Sequence, residues 1–175
     1  MPTSITEIKG FLDEEGLHYQ HVEDELCIST GFLTENYINK NGNNQIPFKI
    51  NCEENGELIR IVAYNVFELP LKLNAKERAM VLQTLAQVNW TSKLVSFDWD
   101  SNDGEIRASV LLPLEDAPLT RKQLIRGVSS LVGIVDEYSS DICRALHQGI
   151  PLEGQRVYAE KFRKYLRQRS ATPAP

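Results

Sequence analysis

Residues 48–64, FKINCEENGELIRIVAY, alternate apolar and polar side chains on either side of Asn55–Gly56. Asn-Gly suits a two-residue type I′ turn, because both positions of that turn need positive φ. A turn here puts the apolar side chains of both arms on one face, and a slip of one residue would lose every match. The stretch therefore predicts an antiparallel hairpin with one buried face. The predicted pairs are Cys52–Ile59, Ile50–Ile61 and Phe48–Ala63, with Asn51 facing Arg60 on the other side.

A second hairpin is predicted around FDWDSNDGEIRA, residues 97–108, with Asp103–Gly104 as its turn. The alternative is a calcium loop, since acidic residues and a glycine stand close together. An EF-hand loop that begins at Asp98 requires glycine at position 6 and glutamate at position 12. The chain has Asp103 and Ser109 there, so the hairpin is favoured. The predicted pairs are Trp99–Ala108, Phe97–Val110, Val95–Leu112 and Asp100–Arg107.

Capping patterns and 3–4 residue apolar spacing predict four helices. Ser4 (or Thr3) with Glu7, and Asn74 with Glu77, are capping boxes at the first two. Pro118 and Thr120 introduce a long third helix, which ends near Gly149. The fourth, over 154–169, is amphipathic, with an apolar side and a basic side. Its apolar side carries Val157, Tyr158, Phe162, Tyr165 and Leu166.

The remaining segments complete an α+β architecture. Residues 17–22 and 25–31 read as short strands, and the Asn-rich stretch 32–45 reads as a loop, with mobility as one interpretation. The order α-β-β-β-α-β-β-α predicts an antiparallel sheet of about five strands flanked by helices. We expect one domain over residues 1–149, followed by a C-terminal amphipathic helix and tail over 150–175.

Composition restricts the class of partner. The chain has 175 residues, 42% hydrophobic and 25% charged, with a formal net charge of −5. An acidic balance argues against nucleic acid as a partner, because phosphate binding needs a basic surface. Three scattered cysteines are typical of reduced thiols, and no signal-peptide pattern or membrane-length apolar run is seen. A cytoplasmic protein without a membrane span is expected.

Motifs for catalysis and for cofactor or metal binding are weak throughout. His18 and His21 would point to opposite faces of a strand, so they do not converge with Cys27 on a zinc ion. GVSSLVG, residues 127–133, misses the G-x-S-x-G pattern at Leu131 and lies inside a predicted helix. We therefore expect no enzyme activity, no cofactor and no metal.

The chain resembles the YbjN family over roughly residues 4–147. The resemblance is carried by FLDEEGL, by FKINCEENGELIRIVAY and by LVSFDWDSNDGEIRASVLLPLEDAPLTRKQLIRGVSSLVGIVDEYSSDI. It implies the fold of type III secretion chaperones and a regulatory role without agreed catalytic residues. The fold relatives are small acidic dimers that bind protein segments, so the resemblance also implies a homodimer with a protein partner.

The function predicted on this basis is a non-enzymatic binding module that holds a segment of another protein. Either Val95, Phe97 and Trp99 or the long third helix are candidates to line its groove, although burial in the core explains those three residues equally well. Tyr158, Phe162 and Tyr165 are candidates in the C-terminal helix. That helix is open to interpretation as a lid, as a docking site or as a simply packed end, and membrane-surface binding is disfavoured by the net charge. The alternative function is a regulatory domain that senses a small ligand between sheet and helix.

Overall fold

One six-stranded antiparallel sheet with three helices forms the protein in the computed structural model, which describes residues 2–21 and 25–148. The spatial order of the strands is β1-β2-β3-β4-β6-β5. In chain order the elements are α1 (Ile5–Glu14), β1 (Tyr19–His21), β2 (Cys27–Leu33), β3 (Gln45–Glu53), β4 (Leu58–Glu68), α2 (Ala75–Thr91), β5 (Ser96–Trp99), β6 (Glu105–Pro113) and α3 (Arg121–Gln148). The α+β class is confirmed.

The sheet has six strands, one more than the expected number of about five. The predicted order allowed three strands before α2, whereas both short segments and both arms of the first hairpin form strands there. β1 has three residues in the described part of the chain, and it pairs with β2 at Tyr19–Thr30, Gln20–Ser29 and His21–Ile28. The region predicted as a loop over 32–45 is also shorter, since β2 runs to Leu33 and β3 starts at Gln45.

Burial alternates along the strands, so the sheet has one core face and one outer face. On β3 the buried side chains are Ile46, Phe48, Ile50 and Cys52, while their neighbours in sequence point away. Each large apolar side chain buried in this way stabilises the fold by about 1.5–3 kcal/mol. All three helices pack on the core face. In α3, Gly127 lies so close to the sheet that an added Cβ would be 2.7 Å from the Ile61 side chain.

The first hairpin is confirmed in both turn and register. Asn55 has φ 56° and ψ 27°, Gly56 has φ 93°, and the Glu57 N–H donates to the Glu54 carbonyl at 3.1 Å. These are the angles of a type I′ turn. The pairs Cys52–Ile59, Ile50–Ile61 and Asn51–Arg60 all form, whereas the predicted Phe48–Ala63 pair lies beyond the paired residues, which end at Lys49–Val62.

The second hairpin has a different register from the predicted one. Phe97 pairs with Ala108, Trp99 with Ile106 and Asp98 with Arg107, a shift of two residues from the predicted pairs. The cause is a longer turn, in which the Gly104 N–H donates to the Asp100 carbonyl at 2.9 Å. The Asp100 carboxylate also accepts the Asn102 N–H at 2.8 Å. Because side chains alternate with period two, a two-residue shift leaves every side chain on its predicted face.

The predicted helix starts are confirmed. Capping boxes form at Ser4–Glu7 and Asn74–Glu77, in which the cap side chain and the glutamate side chain each accept the other's backbone N–H. At α3 the Gln123 side chain accepts the Thr120 N–H at 2.9 Å. The α3 stripe that faces the core is Leu124, Val128, Leu131, Val135, Ile142 and Ala145.

The connection between β2 and β3 is fixed to α3 by one carboxylate. Asp136 accepts the backbone N–H groups of Glu35 at 3.2 Å, Asn36 at 2.8 Å and Tyr37 at 2.8 Å. The Tyr37 ring is buried, and its hydroxyl donates to the Val66 carbonyl at 3.0 Å. Hydrogen bonds therefore hold this part of the connection in place. Its polar composition alone also allowed the interpretation of a mobile loop.

Candidate functional site

The sequence-predicted binding residues on β5 lie in or against the core. Val95 and Phe97 are each 4% exposed, and the Phe97 ring centroid is 6.4 Å from that of Phe67. Trp99 is partly buried, and its indole Nε1 has no hydrogen-bond partner among the described residues. The burial of these three side chains agrees with the other explanation given for them, which is packing in the core. Tyr158, Phe162 and Tyr165, like the whole predicted C-terminal helix, lie outside the described residues.

A surface groove of about 390 Å³ runs between the end of α2 and the outer side of α3. We call it the α2–α3 groove. Leu94, which is 37% exposed, and Ile134 supply its apolar side chains. Gly133 leaves room, because an added Cβ there would meet nothing within 4 Å. The other lining residues are Thr91, Ser92, Lys93, Arg126, Ser130 and Glu137.

Trp90, one residue before the groove wall begins, is 87% exposed. An indole of this size in water leaves a large apolar surface unburied, and tryptophan is enriched among the residues that dominate protein interfaces. The sequence analysis did not identify this residue. The helical spacing could have identified it. The apolar residues of α2 that face the core are Val81, Leu85 and Val88, and Trp90 falls outside this stripe.

Side-chain hydrogen bonds hold the groove walls in place. The Asn89 amide donates to the Phe97 carbonyl at 3.0 Å and accepts the Phe97 N–H at 2.8 Å, which ties the end of α2 to β5. The Ser92 hydroxyl accepts the Val95 N–H at 2.9 Å. Between the two helices, the Thr91 hydroxyl lies 3.3 Å from that of Tyr138. The groove is thus preformed rather than opened by a moving loop, and preformed surfaces bind at lower entropic cost.

A second groove, of about 550 Å³, lies between the end of α1 and the start of α3. Its basic side is partly neutralised, because Arg121 is 3.0 Å from Glu15 and 3.6 Å from Glu14. Arg126 lines both grooves. The outer side of α3 is therefore one accessible surface with a groove on each flank.

The outer face of the sheet is turned away from the three helices. Leu111 is 52% exposed there and Tyr64 is 41% exposed. Their neighbours on this face form two surface ion pairs, Arg60–Glu53 at 2.7 Å and Arg107–Asp98 at 3.6 Å. This mixed composition, with exposed apolar side chains between ion pairs, is within the range of non-obligate protein interfaces, which are about as apolar as the rest of a protein surface.

The titratable side chains with shifted pKa values make contacts within the fold. Burial raises the pKa of the Tyr37 hydroxyl to about 12, and it also raises the pKa of the Cys143 thiol. Burial opposes ionisation of Asp136, but the backbone N–H donors outweigh it and lower the pKa of its carboxyl. Within residues 2–21 and 25–148, no set of three His, Cys, Asp or Glu side chains is placed to hold a metal. The His21 ring nitrogen Nε2 lies 2.9 Å from the Glu25 carbonyl.

No helix in the described part of the chain is long and apolar enough to cross a membrane. The cysteines Cys27, Cys52 and Cys143 are all free thiols.

Comparison with known proteins identifies one family. The family model YbjN, described as "Putative bacterial sensory transduction regulator", matches residues 4–144. No curated protein sequence gives a significant match.

The solved structures that are similar to this chain include the following two. "Crystal structure of an uncharacterized protein from Methanothermobacter thermautotrophicus" gives a TM-score of 0.52 at 14% identity, covering 82% of this chain and 99% of that chain. "Structure of the HopA1-SchA Chaperone-Effector Complex" gives 0.48 at 13% identity, covering 77% of this chain and 91% of that chain. The first shows a shared fold, whereas a score below 0.5 is too low to transfer a role.

Proposed function

The chain belongs to the YbjN family, and from that premise we propose that it is a non-enzymatic regulatory module that binds a segment of a partner protein in the α2–α3 groove. The proposal includes a cytoplasmic location and a homodimeric state. Regulation by such a module requires only selective binding, which needs no catalytic group.

The observation that supports the proposal most is the exposed Trp90 beside a preformed groove. An indole that is 87% exposed gains by association, since burying apolar surface contributes about 25 cal/mol per Å². Inside the groove, Leu94 and Ile134 supply apolar side chains, and Lys93 and Glu137 provide charges of both signs. A groove between two helices with apolar and charged lining residues suits an extended or helical peptide segment.

The proposed homodimer has the outer sheet face as its candidate interface. Leu111 and Tyr64 are exposed there, and the opposite face is already filled by the helices. Size-exclusion chromatography with light scattering gives the test. A mass near twice 19.9 kDa that falls to one chain in Leu111→Lys supports this interface.

The alternative of a small-ligand sensor has less support. It requires a cavity between sheet and helices, whereas the side chains there are packed core residues such as Ile61, Val110 and Leu131, each 0% exposed. We therefore propose the protein-binding role alone.

Affinity capture with the full chain as bait tests the binding role. Wild type is compared with Trp90→Ala and with the control Gln83→Ala, an exposed residue of α2 outside the groove. We expect a stoichiometric partner with wild type and Gln83→Ala, and at least ~10-fold less with Trp90→Ala, the loss of about 1.4 kcal/mol or more that is typical of an interface hot spot. Equal capture by all three baits would exclude Trp90 as a contact residue and would remove the main support for binding at the groove.

A further inference from the structure

The outer side of α3 carries opposite charges on its two halves. In the first half the exposed side chains include the cations Arg121, Lys122 and Arg126. In the second half Glu137 is exposed, and Asp141 follows it one turn later on the same side of the helix. In the described part of the chain, neither Arg126 nor Glu137 has an ion-pair partner. Both charges are therefore available to another molecule.

The middle of this side is built from small side chains. Ser129, Ser130 and Gly133 lie between the two charged halves, and an added Cβ at Gly133 would meet nothing within 4 Å. Helix axes pack about 8–10 Å apart, and the distance depends on the side chains at the contact. A second helix can therefore approach α3 closely at its middle, which brings the longer side chains of both halves within reach of it.

A second copy of α3, placed antiparallel about a twofold axis, matches this pattern at one alignment. If Ser130 of one copy faces Gly133 of the other, then Arg126 faces Glu137, because each lies four residues further out. The twofold axis repeats this pair, so it forms on both sides of the centre. Each pair lies about 8 Å from the axis along the helix, close enough to the centre for long side chains to meet.

The next turn continues the match. In the same alignment Lys122 faces Asp141, again four residues further out. The Asp141 carboxylate is also 3.8 Å from the Arg144 guanidinium of its own helix, so this outer pair is the weaker one. Gln123 faces Ser140, which adds no charge. The surface is thus self-complementary, as a twofold contact between identical chains requires.

From the charge pattern and the small middle of α3, we propose that the outer side of this helix docks antiparallel on α3 of a second copy of the chain. The contact is separate from the outer sheet face, which is turned away from the helices. Arg126, Gly133 and Glu137 also line the α2–α3 groove, so a second copy and a bound partner segment exclude each other. That exclusion rests on the function proposed above, whereas the self-association does not.

The contact is expected to be weak and to depend on salt. Exposed ion pairs each contribute little to association, and salt screens them. We therefore expect it at higher protein concentration than the sheet-face dimer. Sedimentation equilibrium over a concentration series is measured on full-length chains that carry Leu111→Lys, which removes the proposed sheet-face contact. The average mass should rise from one chain toward two, with a Kd that increases with salt.

Charge reversals at the facing positions give the decisive comparison. Arg126→Glu and Glu137→Arg each turn the two central attractions into repulsions, and each should raise the Kd at least ~10-fold. An equimolar mixture of these two variants pairs every new charge with its opposite, so it should associate with a Kd within about 3-fold of the parent chain. The control is Lys76→Glu, at an exposed lysine of α2 that lines neither groove, and it should leave the Kd unchanged.

Three results would overturn the proposal. One is a single-chain mass for the Leu111→Lys protein at every concentration, and another is an unchanged Kd in Arg126→Glu. The third is a mixture that associates no better than its two components, because Arg126 would then contact something other than α3 of a second copy. Partner capture and the effect of Leu111→Lys itself are measured separately, so failure here leaves the proposed function standing.

Discussion

At the scale of single residues, Asp136 shows how a polar side chain on a helix can organise a distant segment. Its carboxylate lies about 100 residues along the chain from the three N–H groups that it accepts. These groups belong to a connection without regular structure, in which Tyr37 is buried, and a buried N–H without a partner is costly. One side chain therefore replaces the hydrogen bonds that a strand would have supplied.

Replacing Asp136 by Asn is expected to lower the free energy of unfolding by about 1 kcal/mol at pH 7, since charged acceptors make stronger hydrogen bonds and the site is partly solvated. The folded-state pKa is below the ordinary value of 3.8, so the contribution is complete above that pH and is lost as pH falls through the folded-state value. Urea unfolding at pH 7 and at pH 3 measures it.

The matched control is Glu137→Gln, which alters an exposed carboxylate one residue further along and should change stability by less than about 0.5 kcal/mol. A difference between wild type and Asp136→Asn that is the same at both pH values would contradict the electrostatic explanation.

The two glycines inside α3 are expected to respond oppositely to alanine. Gly133→Ala should raise the free energy of unfolding by about 0.5–1 kcal/mol, because the helix gains propensity and the new Cβ meets nothing. Gly127→Ala gains the same propensity but forces its Cβ against the fully buried Ile61. The free energy of unfolding of Gly127→Ala should therefore be clearly lower than that of Gly133→Ala. Thermal unfolding of the two variants side by side gives the comparison. Equal shifts in Tm would show that the sheet accommodates the methyl group.

At the scale of elements, the two hairpins show what local signals determine. Asn55–Gly56 is a strong turn signal with no competing side chain, and its register was predicted correctly. In the second hairpin Asp100 accepts the Asn102 N–H and side-chain amide, which stabilises a four-residue turn over the two-residue one. Alternation alone does not distinguish the two registers, because both place the same residues in the core.

Asp100→Ala is expected to lower the free energy of unfolding by about 1 kcal/mol, since it removes the hydrogen-bond acceptor that stabilises the turn. Asp98→Ala should cost under about 0.5 kcal/mol, because the Asp98–Arg107 pair is 3.6 Å long and both side chains are over 40% exposed. Chemical denaturation of the single and double mutants measures both. Coupling of Arg107 to Asp100 rather than to Asp98 would mean that the predicted register is the real one.

The α2–α3 groove could not be predicted in the same way. Trp90 and Ile134 are far apart in sequence, and no spacing rule relates the end of one helix to the middle of another. Val95 and Phe97 were recognised as apolar residues of a strand, but a pattern does not tell which apolar residues a helix will cover. Capping boxes, by contrast, act within four residues, which explains why all three helix starts were predictable.

At the scale of the whole molecule, the core and the proposed binding surface are separable. Trp90→Ala should leave the free energy of unfolding within about 0.5 kcal/mol of wild type, because the indole is almost fully in water. Thermal and urea unfolding check this before any capture experiment is interpreted. A loss above about 1 kcal/mol would mean that Trp90 supports the fold, and its effect on partner binding would then be indirect.

The N-terminal residues close the fold through Thr3. Its N–H donates to the Gly56 carbonyl at 3.0 Å, and its hydroxyl accepts the Leu119 N–H at 2.9 Å. Gly56 is required here for its positive φ and because a Cβ would collide with the Thr3 backbone. During synthesis at about 5–20 residues per second, Thr3 waits roughly 6–23 s for Leu119 to be made. Thr3 is thus unable to complete its contacts until residue 119 has been made, and the apolar side of α1 has no α3 to pack against in the interval.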